Sequence, residues 1–413
     1  MTVPNATVLE MKMKTGAGNL SSRFPQKKEI LLITETSRSF ARGILCGVMQ
    51  YVQMHQTWNL FHLERNIQEK YPDWLTHWRG DGIISRSGST ELCNILATKG
   101  VPVVELLGDG KKYPAHVSID EQVSTHLAAE HFYQRGFRHF GFFSLGHNWW
   151  SQERCDRFVV ALESLGCTCS VSPTTKLETD ASLPLVWRIG IENRIVAWVD
   201  SLPKPVGVFC PWDIHALHFM NICRLHGVSV PEQVAVLGYG NNADLCRWSE
   251  PSLSSIAPNG REVGFRAAEL LAGALAGRPL PEASLKVPPS HIEARNSTDF
   301  TAVRNPVLIK AIRFIRDNIS GNPGVADLVR HLKVSRSTIL RMFTKELGCT
   351  PNEEIMRRRM DWAKQLLRET DMTVVEIANQ LAFSSPSSFV RSFRTTYGMT
   401  PQEFRSTINK NGI

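Results

Sequence analysis

The sequence lacks the long apolar runs that membrane proteins and exported proteins carry. No stretch approaches the ~18 consecutive apolar residues of a membrane-spanning helix. The first apolar run, Ile30 to Ile33, is only strand-sized, and no signal peptide precedes it. Hydrophobic residues make up 42% and charged residues 21% of the chain, as in ordinary globular proteins. We therefore expect a cytoplasmic protein without a membrane segment.

Metal-binding and catalytic patterns are also missing. The nine cysteines are odd in number and form no C-x-x-C pair; only Cys167 and Cys169 lie close together, which favours reduced, mostly buried thiols. His215 and His218 form an H-x-x-H without nearby acidic or thiol ligands, which favours a helix surface over a zinc site. Residues 108–112 resemble a phosphate loop only loosely and favour a turn. With no nucleophile–base arrangement either, we predict no enzyme activity, no metal and no cofactor.

Positive charge is concentrated at one end of the chain. Residues 305–413 contain 17 Lys and Arg against ten Asp and Glu, so they carry +7 of the net charge of +8. The first 304 residues contain 30 basic and 29 acidic groups. A localised basic surface is expected of a nucleic-acid-binding domain. Charge alone fits a solvated helical face equally well.

Between Lys27 and about Glu293, short apolar runs alternate with stretches of helical period. Strand–helix alternation predicts parallel sheets covered by helices, and its length of about 270 residues favours two lobes over one sheet. The predicted strands are Ile30–Thr34, Leu60–Leu63, Gly82–Ser85, Val101–Leu106, Val117–Ile119, His139–Ser144, Val206–Cys210 and Val234–Tyr239. The predicted helices include Gln122–Arg135, Glu153–Leu165, Ile214–His226 and Arg261–Ala276.

The pattern changes near Asn305, where strand runs cease and helical periods continue to about Ser406. Residues 1–25 lack periodicity and are predicted to be a disordered tail. The fold class that we predict is an α/β, two-lobed, doubly wound domain with parallel sheets over residues 26–294. A linker over 295–304 and an all-α domain over 305–413 follow it.

The C-terminal region repeats itself, with Arg341 recurring as Arg391. The copies span residues 325–348 and 374–398, and each predicts two short helices separated by a turn. Ser335 and Ser385 are suitable N-caps for the second helices because a hydroxyl can accept hydrogen bonds from free amides. A glycine ends each copy, as expected where the chain must turn left-handed. Each copy therefore predicts a helix-turn-helix unit.

The second helix of each copy has an aromatic core face and an opposite polar face. Arginine can bond guanine through two N–H groups, and short hydroxyl side chains allow close approach to DNA. The predicted DNA-binding residues are Arg336, Ser337, Thr338 and Arg341 in the first copy and Ser385, Ser387, Ser388 and Arg391 in the second. The helix between the copies contains Arg357-Arg358-Arg359. It is expected to set the distance between the reading helices, although a solvated charge run fits those three residues too.

From about Ile309 to Phe404, these residues closely resemble the DNA-binding domain of the AraC family, including the Gly398-Met-Thr-Pro401 ending. The resemblance implies binding to a double-stranded DNA operator through two helix-turn-helix units. It also implies that the protein recruits RNA polymerase as an activator and acts as a homodimer.

The preceding region resembles the LacI-like sugar-sensing domain, which is similar to periplasmic sugar-binding proteins. The matching stretches are 118–120, 128–132 with 135–143, 206–213, 227–232 with 234–238, and 253–256. A LacI-like sensor placed before an AraC-type domain is an uncommon order, typical of a subgroup of pentose-responsive regulators. Residues 78–84, 150–154 and 295–299 also fit that subgroup. The resemblance implies D-xylose or a related pentose as the ligand.

The resemblance also implies where the sugar binds. Two residues match ligand positions of the LacI-like fold, and a pentose offers neighbouring hydroxyls that an arginine and a carboxylate can bond in pairs. Trp149 or Trp150 could stack on the C–H face of the sugar, and core packing is the alternative for each. The predicted ligand-binding residues are Arg154, Asp213, Trp150, Asn241, Arg42 and Arg86.

One departure from the family concerns Gly240. The family usually has aspartate two residues after the glycine that ends this strand, and here that position is Gly240, followed by Asn241 and Asn242. Either Asn241 takes over the role, or the ligand differs from xylose. Our hypothesis remains a sugar-responsive transcription regulator in which the ligand closes the lobes. The alternatives are a sugar-binding transport component and a sugar-processing enzyme.

Overall fold

The structure, a computed structural model, describes residues 27–36, 38–55, 58–64, 72–86, 94–96, 98–106, 115–144, 149–173, 189–281, 284–299 and 305–411. The predicted tail over 1–25 and the predicted turn over 108–112 lie outside these residues. Within them, no helix is long and apolar enough to cross a membrane. No cluster of metal-ligating side chains occurs in the same part of the chain.

The strands are β1 (Lys28–Thr34), β2 (Trp58–Glu64), β3 (Gly82–Ser85), β4 (Val103–Glu105), β5 (Val117–Ile119), β6 (His139–Phe142), β7 (Cys169–Val171), β8 (Val206–Phe209), β9 (Val234–Tyr239), β10 (Ser254–Ala257), β11 (Leu285–Val287) and β12 (His291–Glu293). The helices are α1 (Ser39–His55), α2 (Glu121–Gln134), α3 (Trp149–Ser164), α4 (Ile189–Ser201), α5 (Asp213–Leu225), α6 (Ala243–Trp248), α7 (Gly260–Leu275), α8 (Pro306–Asp317), α9 (Val325–Leu332), α10 (Arg336–Leu347), α11 (Pro351–Glu369), α12 (Val374–Gln380), α13 (Pro386–Tyr397) and α14 (Pro401–Asn411).

The chain divides into two compact units. The first contains Met1–Ile119 and Asn259–Val287, and the second contains Asp120–Pro258 and Pro288–Ile413. The second unit therefore holds both an α/β part and the C-terminal helices. All eight predicted strands and all four named helices are present, so the predicted α/β class with parallel sheets and a helical C-terminal region is confirmed.

The first unit is built on a parallel sheet in the order β2-β1-β3-β4. Its central strand β1 is buried from Ile30 onwards, as expected for a parallel strand covered on both faces. Helices α1 and α7 pack at backbone distance. A Cβ atom on Gly264 would lie 2.0 Å from the carbonyl oxygen of Ile44, so only glycine permits this approach.

The α/β part of the second unit contains a sheet in the order β12-β10-β9-β8-β6-β7, in which only β12 runs antiparallel. Strands β8 and β9 lie in the middle and are fully buried. The carboxyl ends of β6, β8 and β9 lie at one edge of the sheet, where such folds bind ligands.

The segment predicted to begin the linker is packed against this sheet. Residues Asn296–Thr298 form a 3-10 turn in which Ser297 and Thr298 are buried. The hydroxyl of Ser297 donates to the carbonyl of Val236 at 2.6 Å, and Thr298 pairs with His131 at 2.8 Å. The described part of 295–304 is therefore fixed to the α/β part rather than free of it.

Candidate ligand site and DNA-reading surface

Arg154 lies in the second turn of α3 and is buried. Its guanidinium donates from Nε to Glu121 Oε2 at 2.9 Å, and from Nη2 to the other oxygen of that carboxylate. Its Nη1 donates to the carbonyl of Pro211 at 2.5 Å. The guanidinium carbon lies 3.5 Å from the centre of the Tyr239 ring. Arg154 therefore joins the first residue of α2 to the loop after β8 and to the end of β9.

Asp213 is the first residue of α5, just beyond the carboxyl end of β8, and is fully buried. Its Oδ1 accepts from the Ser255 hydroxyl at 2.6 Å, and its Oδ2 accepts from the Asn242 amide at 2.8 Å. Burial raises the pKa of Asp213 to about 6, although hydrogen bonds from Ser255 and Asn242 lower it. The Cys246 thiol also bonds this carboxylate, so about one of its four lone pairs remains for a sugar hydroxyl.

The turn after β9 explains the glycine where the family has aspartate. Gly240 has φ +121, and a Cβ atom there would lie 3.2 Å from Oδ2 of Asp213. The positive φ strains any side chain at position 240, and its Cβ atom would crowd the Asp213 carboxylate. Asn241, which also has positive φ, accepts a hydrogen bond from Arg295 Nη2 at 2.8 Å through Oδ1. One of the two lone pairs of its side-chain oxygen is therefore used.

The two tryptophans at the start of α3 differ in their surroundings. Trp149 is 43% exposed. Trp150 packs against the core of the α/β part and forms an edge contact with Trp212, with 5.6 Å between ring centres. The guanidinium carbon of Arg154 lies 5.8 Å from the Trp150 ring centre. Trp150 therefore combines partial core packing with a place beside Arg154.

In the first unit, Arg86 directly follows β3 and Glu35 directly follows the neighbouring strand β1. Their side chains form an ion pair with only 9% and 4% exposure. Within the described chain, Arg86 Nε and Glu35 Oε2 are buried without a hydrogen-bond partner. Arg42, in α1, donates to the carbonyl of Thr36 at 2.8 Å. The buried Arg86–Glu35 pair thus has one donor and one acceptor left for a ligand.

The sequence analysis missed Glu35, Glu121, Tyr239 and Arg295, which pair with predicted residues. Glu35 and Tyr239 could have been found from the sequence. Glu35 directly follows the predicted strand β1, and Tyr239 is the last residue of the predicted strand β9. Glu121 and Arg295 are 33 and 54 positions from their partners, and no local pattern links them. Only the fold brings these charges together.

The C-terminal helices form the two helix-turn-helix units as predicted. In the first, Ser335 caps α10 by accepting from the Thr338 amide at 3.2 Å. In the second, Ser385 caps α13 by accepting from the Ser388 amide at 3.2 Å. Gly348 ends α10 with φ 69 and Gly398 ends α13 with φ 75. The core positions Ile339, Phe343, Phe389 and Phe393 are all fully buried.

The opposite face of α10 and α13, here called the reading face, presents its arginines to solvent. Arg336, Arg341 and Arg391 are exposed, and none forms a hydrogen bond or ion pair with a described residue. Ser337 and Ser387 are exposed as well, whereas Thr338 is half-buried. Ser385 and Ser388 are half-buried and use their hydroxyls in the cap of α13. The exposed arginines are therefore the groups best placed to contact bases.

Helix α11 joins the two units, and its arginine run is not a solvated charge run. Arg358 is buried and bonds Glu354 at 2.8 Å together with Asp299, while Arg357 bonds Glu354 at 2.7 Å. Arg359 donates to the Leu381 carbonyl and lies 4.2 Å from the Phe383 ring centre. The run thus ties α11 to the second helix-turn-helix unit and to the end of the α/β part.

Three carboxylates of the α/β part are held by arginines of the helical part. Glu232 pairs with Arg316 at 2.6 Å, Asp299 pairs with Arg357 and Arg358, and Glu293 pairs with Arg368. Burial alone would raise the pKa of Glu293, but hydrogen bonds from His291 and Arg368 lower it to about 2. These pairs connect the sensor-like sheet with the DNA-reading helices inside one unit.

Family models match the chain in three successive segments. They are described as the XylR N-terminal domain over residues 29–124, a periplasmic binding protein-like domain over 129–298, and a helix-turn-helix domain over 328–407. The xylose operon regulatory protein of Haemophilus influenzae is 28% identical over 389 residues, covering 92% of this chain and 98% of that protein. The protein of the same name from Escherichia coli K12 is 28% identical over 394 residues, with the same coverage.

A solved structure described as the xylose-binding transcription activator xylR is similar along the whole chain. It has 26% sequence identity and a TM-score of 0.74, and the match covers 93% of this chain and 99% of that one. These relatives are transcription regulators. The predicted order, a periplasmic-binding-protein-like sensor followed by a helix-turn-helix domain, is confirmed.

Proposed function

We propose that this chain, a xylose-operon-regulator-like protein with a periplasmic-binding-protein-like sensor and an AraC-type helix-turn-helix domain, is a sugar-responsive transcription regulator. One observation carries the proposal: a single chain has a ligand-type sheet edge and two exposed reading helices, joined through ion pairs. It acts on DNA, and hence in the cytoplasm. As a homodimer bound to its operator, it activates transcription through contact with RNA polymerase.

The ligand is D-xylose or a related pentose. The sheet edge of the second unit offers Arg154 and Asp213 at the carboxyl ends of parallel strands. Arg154 keeps N–H groups and Asp213 keeps a lone pair that can bond sugar hydroxyls, whereas a hydrophobic ligand offers no partner to either. Trp150 supplies an apolar ring beside Arg154 for the C–H face of the sugar. The regulatory proteins to which the chain is similar are named for xylose.

Isothermal titration of the full chain with xylose, arabinose, ribose and glucose tests the sugar assignment. We expect xylose to bind best among these four, because the likeness to the xylose regulators extends along 92% of the chain. The missing carboxylate at Gly240 is expected to make the site tolerant of the other pentoses. If none of the pentoses gives a heat of binding, the proposal is contradicted. Formation of a new product from any sugar would support an enzyme instead.

The contacts also suggest how sugar binding reaches the DNA-reading helices. In the sheet, Ser255 of β10 is the register partner of Glu293 of β12. Ser255 bonds Asp213 at the candidate sugar site, and Glu293 bonds Arg368 of α11. A shift of the Asp213 carboxylate would therefore be passed through two adjacent strands to the helix that joins the reading units. Continuous contacts of this kind can carry a coupling free energy between two sites.

The Glu293→Gln variant tests this route. We expect sugar affinity and sugar-free DNA affinity to change less than threefold, while the sugar-induced change in DNA affinity falls by fivefold or more. The reason is that glutamine keeps the side-chain shape but loses the ion pair with Arg368. DNA binding is measured by fluorescence anisotropy with and without xylose. Glu262→Gln, an exposed ion-pair carboxylate of the first unit, is the matched control. A coupling equal to that of the unaltered protein would contradict the route.

A fragment of residues 300–413 tests whether the DNA-binding function resides in the helical part. We expect it to be soluble and helical by circular dichroism, because its buried core clusters are formed from its own residues. It loses the acidic partners Glu232, Glu293 and Asp299, which leaves its excess of basic groups uncompensated. DNA affinity should therefore fall roughly a hundredfold or more between about 50 and 200 mM salt. An unfolded fragment, or salt-insensitive DNA binding, would contradict this expectation.

A further inference from the structure

A cavity of about 260 Å³ lies in the second unit, where the α/β part meets the helical part. Its lining comes from α2, from the 293–299 segment and from helices α8 and α11. It is separate from the candidate sugar residues Arg154 and Asp213, which do not line it. The proposed coupling route uses two of its lining residues, Glu293 and Arg368, but places no ligand in the cavity.

The lining of the cavity is strongly basic. Seven arginine and lysine side chains line it, against three aspartate and glutamate side chains. The three acidic groups already have cationic partners. Glu293 pairs with Arg368, Asp299 pairs with Arg357 and Arg358, and Asp361 pairs with Arg357. The three carboxylates therefore leave the cavity lining with an excess of positive charge.

Three of the lining cations have no carboxylate ion pair among the described residues. Arg135 donates to the carbonyls of Thr298 at 3.2 Å and His131 at 3.0 Å. Arg295 donates to the Leu253 carbonyl and the Asn241 amide oxygen, each at 2.8 Å. Lys364 faces two aromatic rings, with Nζ 5.3 Å and 5.8 Å from their centres. Bonds to neutral acceptors leave each of these cations with N–H groups that an anion could engage.

A neutral donor accompanies these cations. Trp362 lines the same cavity, and its indole Nε1 is buried with no hydrogen-bond partner in the described chain. A buried donor without an acceptor costs about 1–3 kcal/mol. An oxygen-rich anion offers acceptors both to this type of donor and to the cations, whereas a cation or an apolar molecule offers none.

We propose that this cavity binds a small dianion of the phosphate-monoester class. A phosphoryl group carries about two negative charges and three acceptor oxygens, which suits several arginine and lysine donors at once. The volume exceeds that of one water, whose share of liquid is about 30 Å³, several times over, so a small ester fits. The bound dianion joins Arg135 and Arg295 of the α/β part to Lys364 of α11. It thereby strengthens the hold of the α/β part on the DNA-reading helices and serves as a second effector.

The experiment is titration of the full chain, at constant ionic strength, with inorganic phosphate and with ribose 5-phosphate. Binding is followed by calorimetry and by the thermal unfolding midpoint. We expect both probes to bind and to raise the midpoint, with the ester binding more tightly. Lys364→Gln and Arg135→Gln should each weaken binding at least tenfold. The matched control Lys310→Gln, an exposed lysine of the helical part outside the cavity, should bind as the unaltered protein does.

Two variants in different elements keep the test independent of any one substitution's effect on folding. No binding of either probe at 10 mM, on the order of the highest useful concentration for an effector at a millimolar-affinity site, would overturn the proposal. Equal weakening by Lys310→Gln would also overturn it, since that points to nonspecific charge. If Lys364→Gln weakens DNA binding tenfold while neither probe binds, the cations serve the DNA backbone instead. Failure of sugar binding leaves these outcomes unaffected, so the two proposals can fail separately.

Discussion

Replacing Arg341 and Arg391 together by alanine is expected to weaken operator binding by roughly 30-fold to 20,000-fold. Each arginine is exposed at equivalent positions of α10 and α13 and is bonded to no described residue. A lost arginine–base contact typically costs about 1–3 kcal/mol, and separated sites contribute additively. The operator is first selected from random duplex DNA with the unaltered protein, and affinities are then measured by anisotropy.

A double variant of the same charge separates base contacts from general electrostatics. Lys310→Ala with Arg330→Ala also removes two positive charges from the helical part, but both residues lie outside the reading helices α10 and α13. We expect this control to weaken specific and nonspecific DNA about equally and only modestly. If the Arg341 and Arg391 variant keeps its operator affinity, or matches the control, the assignment of the reading face is wrong.

Asp213→Asn is expected to lower sugar affinity tenfold to a hundredfold while leaving sugar-free DNA binding intact. The carboxylate accepts from Ser255, Asn242 and Cys246 and has about one lone pair left for the sugar. An asparagine offers one acceptor oxygen, so one donor now faces an amide N–H group. Hydrogen bonds to charged groups are worth about 1.5–3 kcal/mol, which corresponds to the expected loss. Calorimetry with the best-binding sugar measures it.

Asp244→Asn is the matched control for this substitution, since Asp244 is an exposed aspartate in the helix that follows the same turn. It should bind sugar like the unaltered protein. Equal sugar affinities of the Asp213→Asn variant and the unaltered protein would remove Asp213 from the site. Loss of DNA binding in the Asp213→Asn variant would show a folding defect rather than a ligand role.

The pH dependence of sugar binding tests whether the ionised carboxylate of Asp213 binds the sugar. Burial raises the pKa of this carboxyl to about 6 in the sugar-free protein. Sugar hydroxyls donate to the ionised form, so sugar binding favours deprotonation and should weaken as pH falls through about 6. The Asp213→Asn variant should show no such decline. A decline of equal size in both proteins would assign the titration to another group.

Much of the fold was predictable because its strands are continuous apolar runs and its helices carry regular periods. Strands β7, β10, β11 and β12 were missed. Each has only three or four residues, and β10 begins with two serines, so neither length nor apolar content marks it as a strand. Ser254 and Ser255 are buried nonetheless, because hydrogen bonds to Arg295 and Asp213 satisfy their hydroxyls.

The candidate site was predictable only in part, for a related reason. Arg154 and Asp213 stand near strand ends, where position alone indicates a ligand role. Their partners Glu121 and Ser255 are remote in sequence, and pairing of charges across such distances depends on the finished sheet. The same holds at the start of the predicted linker. Serine is a common loop residue, so the sequence does not mark Ser297 as structural. Its role follows from its hydrogen bond to the Val236 carbonyl.

The central claim is that one chain couples a sugar signal to DNA binding. The most direct measurement is operator affinity of the full chain with and without saturating xylose, paired with xylose affinity with and without operator. Because coupling is reciprocal, both affinities must change by the same factor, and typical coupling free energies of about 1–3 kcal/mol make that factor roughly fivefold to 150-fold. Xylose that binds the protein but leaves operator affinity unchanged, with operator likewise leaving xylose affinity unchanged, would contradict the account.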